Sequence, residues 1–113
     1  MRVYLPTTIG VLREQVREGV LSDLEQITPQ GEGEEAEYVA LMWAADASAG
    51  MLRGPGRRVV AVAELEALGV NVPTPLSKVI AWYADPSDRP ADADPDEDLC
   101  WYATQEIDAV LAD

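Results

Sequence analysis

The hydrophobic positions at the start of the chain indicate a strand followed by an amphipathic helix. Residues 2–5, RVYL, predict a short strand that we expect Pro6 to end. From about Ile9 to Glu18, apolar side chains recur with a helical period and leave charged residues on the opposite side. One threonine of the preceding PTT is expected to cap this helix, and Gly19 to close it.

The longest predicted helix, residues 34–52, is apolar around nearly its whole circumference. Weak alternation at residues 25–28 predicts a short strand before it. Beyond the first helical turn, Asp46 is its one charged residue. A helix with this pattern is buried within its domain or covered by another subunit. In so short a chain, we treat it as a candidate homodimer interface.

Two further strands are predicted in the second half of the chain. VVAVA, residues 59–63, is a continuous β-rich run of the kind found in strands covered on both faces, so we expect it to be central. KVIAWYA, residues 78–84, predicts the other strand. Between them we expect one helical turn at residues 64–69 and an extended segment at residues 70–75, where prolines disfavour a helix.

A last helix is predicted from about Pro95 to Ala112. Most of its apolar side chains fall within one arc, whereas Trp101 and Gln105 fall on the opposite side with Tyr102 beside them. A tryptophan turned away from the core of its own helix lies either under a neighbouring loop or on a contact surface. We therefore take Trp101, Tyr102 and Gln105 as candidate partner contacts.

These segments predict one α+β domain spanning residues 1–113. A chain of 113 residues can form one hydrophobic core and is too short for two ordinary domains. We expect a mixed sheet of three to four strands and about three helices, packed mainly on one face, in the order β-α-(β)-α-β-β-α. A flexible acidic loop is expected at about residues 85–95.

The chain is strongly acidic, with 21 aspartates and glutamates against 8 lysines and arginines and a formal net charge of -13. Such a charge repels nucleic-acid phosphates and anionic lipid, so we expect neither direct nucleic-acid binding nor membrane attachment. The start of the chain has no apolar signal segment, and no apolar run reaches the roughly 18 residues needed to cross a bilayer. We therefore expect a cytoplasmic protein.

The residue inventory excludes several catalytic chemistries. There is no histidine, and Cys100 is the single cysteine. A Cys/His zinc site, an internal disulfide and any mechanism that uses imidazole as a base are therefore excluded. Because no base can be named for Cys100, we expect a packing thiol on the last helix. The sequence indicates no catalytic residue, no cofactor and no metal site.

An acidic stretch at residues 85–98, DPSDRPADADPDED, contains alternating aspartates that resemble the first half of an EF-hand loop. That loop needs glycine at its sixth position and glutamate at its twelfth. Counted from Asp92, these positions hold Glu97 and Ala103, so an EF-hand is excluded. A looser cation site remains open, although charge runs are usually solvated and the last acids also suit the first turn of the predicted helix.

Asp46 lies in an apolar helix, and a buried carboxylate needs a partner or a raised pKa. Arg57, Arg58 and Lys78 are available as partners, and we take Asp46 with Arg58 as the candidate buried ion pair. A general acid or base at Asp46 is less favoured, because no second catalytic group is recognisable near it. For Arg53, Arg57 and Arg58, we favour pairing with the protein's own acids over binding of an anion.

Three stretches resemble a family of small actinobacterial proteins of unknown function: MRVYLPTT at the start, EEAEYVAL in the middle and LCWYATQEI near the end. The similarity runs nearly end to end, but none of these stretches is a catalytic signature. The resemblance implies a small cytoplasmic α+β protein without an established activity and assigns no functional residue. Members tend to have a histidine just before the aspartates that follow KVIAWYA, where this chain has Trp82 and Tyr83, so no shared histidine chemistry is expected.

Three functional hypotheses follow. The leading one is a cytoplasmic interaction or structural module, a homodimer through the second helix or the Trp101 face. The second is an acidic binder of a basic protein, or a nucleic-acid mimic, motivated by the net charge and the acidic stretch. The third and least favoured is an enzyme of small polar substrates that uses Asp46 with an arginine.

Overall fold

The computed structural model describes residues 1–68 and 73–112, which form an α+β domain. The strands are β1 (Arg2–Thr7), β2 (Val20–Leu21), β3 (Val59–Glu64), β4 (Thr74–Pro75), β5 (Val79–Ala84) and β6 (Cys100–Ala103). The helices are α1 (Ile9–Glu18), α2 (Glu34–Met51) and α3 (Ile107–Leu111), and short 3-10 turns occupy Leu76–Lys78 and Thr104–Glu106. The predicted fold class is confirmed.

A four-stranded sheet forms the centre of the domain, in the spatial order β1-β3-β5-β6. β3 has a strand on each side, which confirms the prediction that VVAVA is central. Each neighbouring pair is antiparallel, so the sheet is not mixed as expected. A continuous apolar strand indicates that both faces of the sheet are covered. It does not indicate whether the neighbouring strands are parallel or antiparallel, and this explains the error. β2 and β4 form a separate antiparallel pair.

Helices cover both faces of the sheet, not mainly one. α2 packs on the face that carries Val60 and Val62 of β3. α1 and α3 contribute Leu12 and Val110 to the opposite face, which carries Ala61. Alternate residues of a strand point to opposite faces, so a strand between two helical layers must be apolar throughout. This accounts for the continuous VVAVA run.

β1 continues through Pro6 to Thr7, whereas the sequence predicts that Pro6 ends it. β1 is an edge strand, and on its outer side Tyr4 exchanges backbone hydrogen bonds of 2.7 and 3.0 Å with Ile27. Backbone groups alternate in direction along a strand, so the nitrogen of Pro6 also faces away from β3. The missing N–H therefore removes no hydrogen bond from the sheet, and proline is tolerated.

Both predicted ends of α1 are confirmed. The hydroxyl of Thr8 accepts a hydrogen bond of 3.3 Å from the backbone N–H of Val11. Gly19 adopts a φ of 81°, and its N–H donates to the carbonyls of Gln15 and Val16. Glycine adopts this left-handed conformation without steric cost, which is why it ends the helix.

Two shorter predictions need correction. The strand expected at residues 25–28 is reduced to an isolated bridge at Ile27, and the regular strand β2 lies earlier in the chain. The helical turn expected at residues 64–69 is wrong for the described part, where residue 64 ends β3 and residues 66–67 form a bend. Residues 69–72, which include half of the expected extended segment, lie outside the described residues, and Thr74 and Pro75 of its other half form β4.

The largest difference between the prediction and the structure concerns the last helix, which was predicted from about Pro95 to Ala112. Residues Cys100–Ala103 form the edge strand β6, and the helix is confined to the 5 residues of α3. Strand β6 pairs with β5 and places Tyr102 on the face packed by α1 and α3. So short an apolar segment is compatible with a strand as well as with a helix. Here its pairing with the neighbouring strand determines that it is a strand.

α2 is covered on one side, not on all sides as its composition predicts. Its buried side carries Ala40, Leu41, Ala44, Ala45 and Ser48. Its outer side leaves Val39, Trp43 and Met51 exposed, with Trp43 at 53%. Within one chain, the sheet is the layer that packs on α2, because α1 and α3 lie on the opposite face. Within residues 1–68 and 73–112, no helix has the length and hydrophobicity to cross a bilayer.

Candidate binding surface

The acidic loop, residues 85–98, begins with a buried carboxylate. Asp85 directly follows β5, and its side chain is 3% exposed. Its Oδ1 accepts a hydrogen bond of 2.8 Å from Nη2 of Arg58, and its Oδ2 accepts one of 2.9 Å from Nε. This bidentate contact with Asp85 is the main cause that raises the pKa of Arg58. The two charges therefore neutralise each other inside the fold.

The predicted pairing of Asp46 with Arg58 is wrong. Arg58 is buried as expected, but its partner is Asp85, and Asp46 is exposed on α2. Asp46 lies on the outer side of the helix, three residues from Trp43, so its carboxylate is hydrated and needs no buried partner. Asp46 and Arg58 do line one shallow cleft of about 300 Å³.

Arg58 has little capacity left to bind a ligand in that cleft. Besides the bonds to Asp85, its Nη1 donates to the carbonyl of Pro95 at 3.2 Å and its Nη2 to that of Glu97 at 2.9 Å. A guanidinium has five N–H groups, and four side-chain hydrogen bonds are made within the chain. The hypothesis of an enzyme that uses Asp46 with this arginine therefore lacks a free cationic group at Arg58.

Two further arginines fasten the acidic loop to the turn before β3. Arg57 donates from Nε to the carbonyl of Asp85 at 2.7 Å. Arg89 exchanges backbone hydrogen bonds of 2.9 and 3.0 Å with Gly56, and its guanidinium lies 3.8 Å from the carboxylates of Asp85 and Glu97. The predicted pairing with the protein's own acids holds for Arg58, whereas Arg57 donates to the backbone carbonyls of Asp85 and Ala112. In the part of the chain that the structure describes, no cluster of three or more acids and cysteines is arranged to hold a metal ion.

The three predicted partner contacts do not share one surface. Trp101 is 58% exposed on β6, directly opposite Tyr83 of β5. Tyr102 points to the other face of the sheet and packs against the core beside α1 and α3. Gln105 is exposed in the 3-10 turn that follows β6. Trp101 points away from that core because residues of a strand alternate between faces, and not because of a helical period.

Cys100 is an exposed free thiol and not the packing residue expected. It is the first residue of β6 and lies opposite Ala84. The predicted helix would have turned Cys100 into an apolar arc with Leu99 and Ala103, whereas an edge strand at the rim of the sheet leaves it in contact with solvent.

A cleft of about 530 Å³ lies between the start of α2 and the sheet. We call it the tyrosine cleft; its principal lining residues are Tyr4, Tyr38, Tyr83, Arg2, Glu34 and Glu35. Because Tyr83 stands opposite Trp101, and directly opposed side chains on one sheet face are neighbours, the cleft adjoins the exposed tryptophan.

Charged groups surround the hydroxyls of this cleft. Arg2 Nη1 donates to Glu37 Oε1 at 2.8 Å, and the Tyr38 hydroxyl donates to Asp98 Oδ1 at 2.7 Å. Burial, followed by the charge of Glu37, raises the pKa of Tyr4. The hydrogen bond to Asp98 raises the pKa of Tyr38. Both phenols therefore remain neutral at physiological pH, and the last acid of the acidic loop is joined to α2.

The tyrosine cleft was not apparent from the sequence, because its walls come from β1, α2 and β5. One local signal was present: Glu34, Glu35 and Tyr38 are spaced so that they lie on one side of the first turns of a helix. The burial of Asp85 also had a signal, since it directly follows an apolar strand and precedes Pro86. Neither signal indicates which distant residue completes the site.

The fold and this surface define a small antiparallel α+β protein with an acidic, aromatic face. The chain belongs to a protein family of unknown function, DUF6912, whose family model matches residues 1–111. The resemblance to a family without an assigned function is thereby confirmed, while the actinobacterial distribution stays a prediction. Neither the curated proteins nor the solved structures contain a match to this chain.

Proposed function

We propose that the protein is a non-catalytic, cytoplasmic interaction module that binds a basic protein segment on the β5–β6 side of the sheet. The observation that supports this proposal is Trp101, more than half exposed beside the tyrosine cleft. Tryptophan is the residue type most enriched among energetically dominant interface contacts, and it buries a large area when a partner covers it.

The surroundings of Trp101 favour a basic partner. Glu34 and Glu35 line the adjoining cleft, and Asp98 lies at the hydroxyl of Tyr38. In addition, the whole chain carries a net charge of -13, which attracts cations and accelerates their association at low salt. The outer edge of β6 also has no strand paired with it among the described residues, whereas the opposite edge is bridged by Ile27.

A peptide of alternating arginine and alanine tests this function, with the affinity measured by isothermal titration calorimetry. We expect Trp101→Ser to weaken binding about tenfold, the usual effect of removing a central aromatic contact. Trp43→Ser is the matched control, because Trp43 is similarly exposed but lies on the outer side of α2; it should bind like the wild type. Equal affinity in the wild type and Trp101→Ser, or equal losses in both variants, would refute the proposed surface.

Self-association through α2 is a second candidate function, supported by a different observation. Val39, Trp43 and Met51 form an exposed apolar stripe on the outer side of this helix. A second copy that covers this stripe would give the helix the all-round burial that its composition indicates. Because each chain carries -13, dimerisation should strengthen as salt screens the repulsion.

Sedimentation equilibrium tests the homodimer. We expect a dimer at high micromolar concentration that tightens between low and moderate salt and that Trp43→Glu dissociates. Trp101→Glu is the control with the same chemical change on strand β6, outside the outer side of α2, and it should leave the dimer intact. A strict monomer at all concentrations and salt levels would eliminate this candidate.

A further inference from the structure

The tyrosine cleft combines two features that recognise organic cations. Its walls contain the aromatic rings of Tyr4, Tyr38 and Tyr83, and ring faces attract cations. Its lining also contains Glu34 and Glu35, neither of which is within ion-pair distance of a basic group among the described residues. Tyr4 is only 5% exposed and packs in the core cluster beneath α2, so its ring is held in place without a ligand.

The local charge also favours a cation. Three carboxylates, those of Glu34, Glu35 and Glu37, line the cleft together with one guanidinium, that of Arg2, which leaves a formal charge of two negative units. The start of α2 contributes about half a positive charge through its dipole, which is too small to reverse this balance. The cleft therefore attracts one further positive group.

The chain itself shows how such a group is held. Arg2 lies in the cleft, its Nη1 is 2.8 Å from Glu37 Oε1, and its charge acts on the neighbouring Tyr4 hydroxyl. A guanidinium is thus already accommodated between a carboxylate and a tyrosine of this cleft. Glu35, Tyr38 and Tyr83 line the same cleft and supply a second carboxylate and two further phenol rings, and Glu35 has no ion pair among the described residues.

We propose that the part of the tyrosine cleft lined by Glu35, Tyr38 and Tyr83 binds an arginine side chain of the partner and prefers it to lysine. The proposal rests on the proposed function and names its recognition element. A planar guanidinium stacks on an aromatic ring and donates two parallel hydrogen bonds to a carboxylate, which an ammonium cannot do. Trp101 next to the cleft covers the segment that carries this arginine, which explains why a tryptophan is exposed there.

Two peptides of equal charge test the preference, one alternating arginine with alanine and one alternating lysine with alanine. We expect the arginine peptide to bind wild-type protein at least about fivefold more tightly at about 0.15 M salt. Tyr83→Leu should remove the preference and leave the affinity for the lysine peptide within about twofold. Tyr83→Phe keeps the ring and should retain the preference, which separates loss of the ring from loss of the hydroxyl.

The carboxylates are tested by a charge-matched pair of double variants. Glu34→Gln with Glu35→Gln should weaken binding of the arginine peptide about tenfold. Glu18→Gln with Asp108→Asn removes the same charge from α1 and α3, on the other face of the sheet, and should weaken both peptides slightly and equally. Circular dichroism of each variant should show an unchanged fold and melting within a few degrees.

The outcomes separate this inference from the proposed function. If arginine and lysine peptides bind equally, yet Trp101→Ser weakens both, the arginine site is refuted and the interaction surface stands. If the preference survives in Tyr83→Leu and in the glutamate variant, the arginine is recognised elsewhere and the inference is again refuted. If neither peptide binds the wild type, both proposals fail.

Discussion

Arg58 and Asp85 form a buried ion pair that extends the ladder between β3 and β5 by one residue. The Asp85 N–H donates to the Arg58 carbonyl at 3.1 Å, and the Arg58 N–H donates to Asp85 Oδ2 at 2.8 Å. The guanidinium then reaches the carbonyls of Pro95 and Glu97 in the acidic loop. Next to Glu97 is Asp98, which is bonded to Tyr38, so this ion pair also positions one wall of the tyrosine cleft.

Breaking this pair is predicted to cost much of the protein's stability. Asp85→Asn leaves an uncompensated buried guanidinium and should lower the free energy of unfolding by about 3 kcal/mol. Urea denaturation followed by circular dichroism measures the change. Asp88→Asn, in an exposed position of the same loop, is the control and should stay within about 0.5 kcal/mol of the wild type. Similar losses in the two variants would contradict the role assigned to Asp85.

Ser48 joins α2 to the sheet by two hydrogen bonds. Its hydroxyl donates to the Thr7 carbonyl at 2.6 Å and accepts from the Val59 N–H at 2.9 Å. Ser48→Ala leaves both backbone groups buried without a partner, so we expect a loss of about 2 kcal/mol in thermal or urea unfolding. The exposed Ser87 provides the comparison, since Ser87→Ala should change stability by no more than a few tenths of a kcal/mol.

Two glycines around α1 should respond to alanine with opposite signs. Gly19 has a φ of 81°, so Gly19→Ala should destabilise the protein by about 1 kcal/mol. Gly10 lies within the helix, and an added Cβ meets no atom within 4 Å, so Gly10→Ala should stabilise by about 0.5 kcal/mol. Melting temperatures that shift in the same direction would show that the backbone conformation at Gly19 is not the controlling factor.

The raised pKa of Tyr4 predicts a loss of stability at alkaline pH. Burial, followed by Glu37, lifts this pKa above its ordinary value of 10.0. A group whose pKa is higher in the folded state contributes stability that is complete below the unfolded pKa and is lost as pH rises through the folded one. The free energy of unfolding should therefore decline above about pH 10. Tyr4→Phe should make this decline shallower in urea titrations, and an identical slope would contradict the assignment.

The elements that local patterns predict well are those whose evidence lies within a few residues. Thr8 and Gly19 bound α1 as expected, because capping and the left-handed turn depend on adjacent backbone groups. The run at residues 59–63 identified the central strand, because burial on both faces requires apolar residues at every position. The charged first turn of α2 was equally clear.

The predictions that failed concern features that are determined by contacts with a distant segment of the chain. The alternation of Tyr102 and Trp101 between sheet faces exists only because β5 lies alongside β6. Asp46 was the predicted partner of Arg58, but the pairing of Arg58 with Asp85 depends on the register of β3 against β5. The spacing of residues within β3 or within β5 does not determine that register.

By itself, the sequence determined an acidic α+β domain with about three helices, a central apolar strand, no imidazole chemistry and no internal disulfide, because composition, capping and periodicity are local properties. The tertiary structure alone decided that residues 100–103 form a strand, that Asp85 neutralises Arg58, and that three tyrosines and two glutamates meet beside Trp101. The physical reason is that strand pairing and burial bring together groups from separate segments, and the free energy of those contacts outweighs the local preferences of each segment.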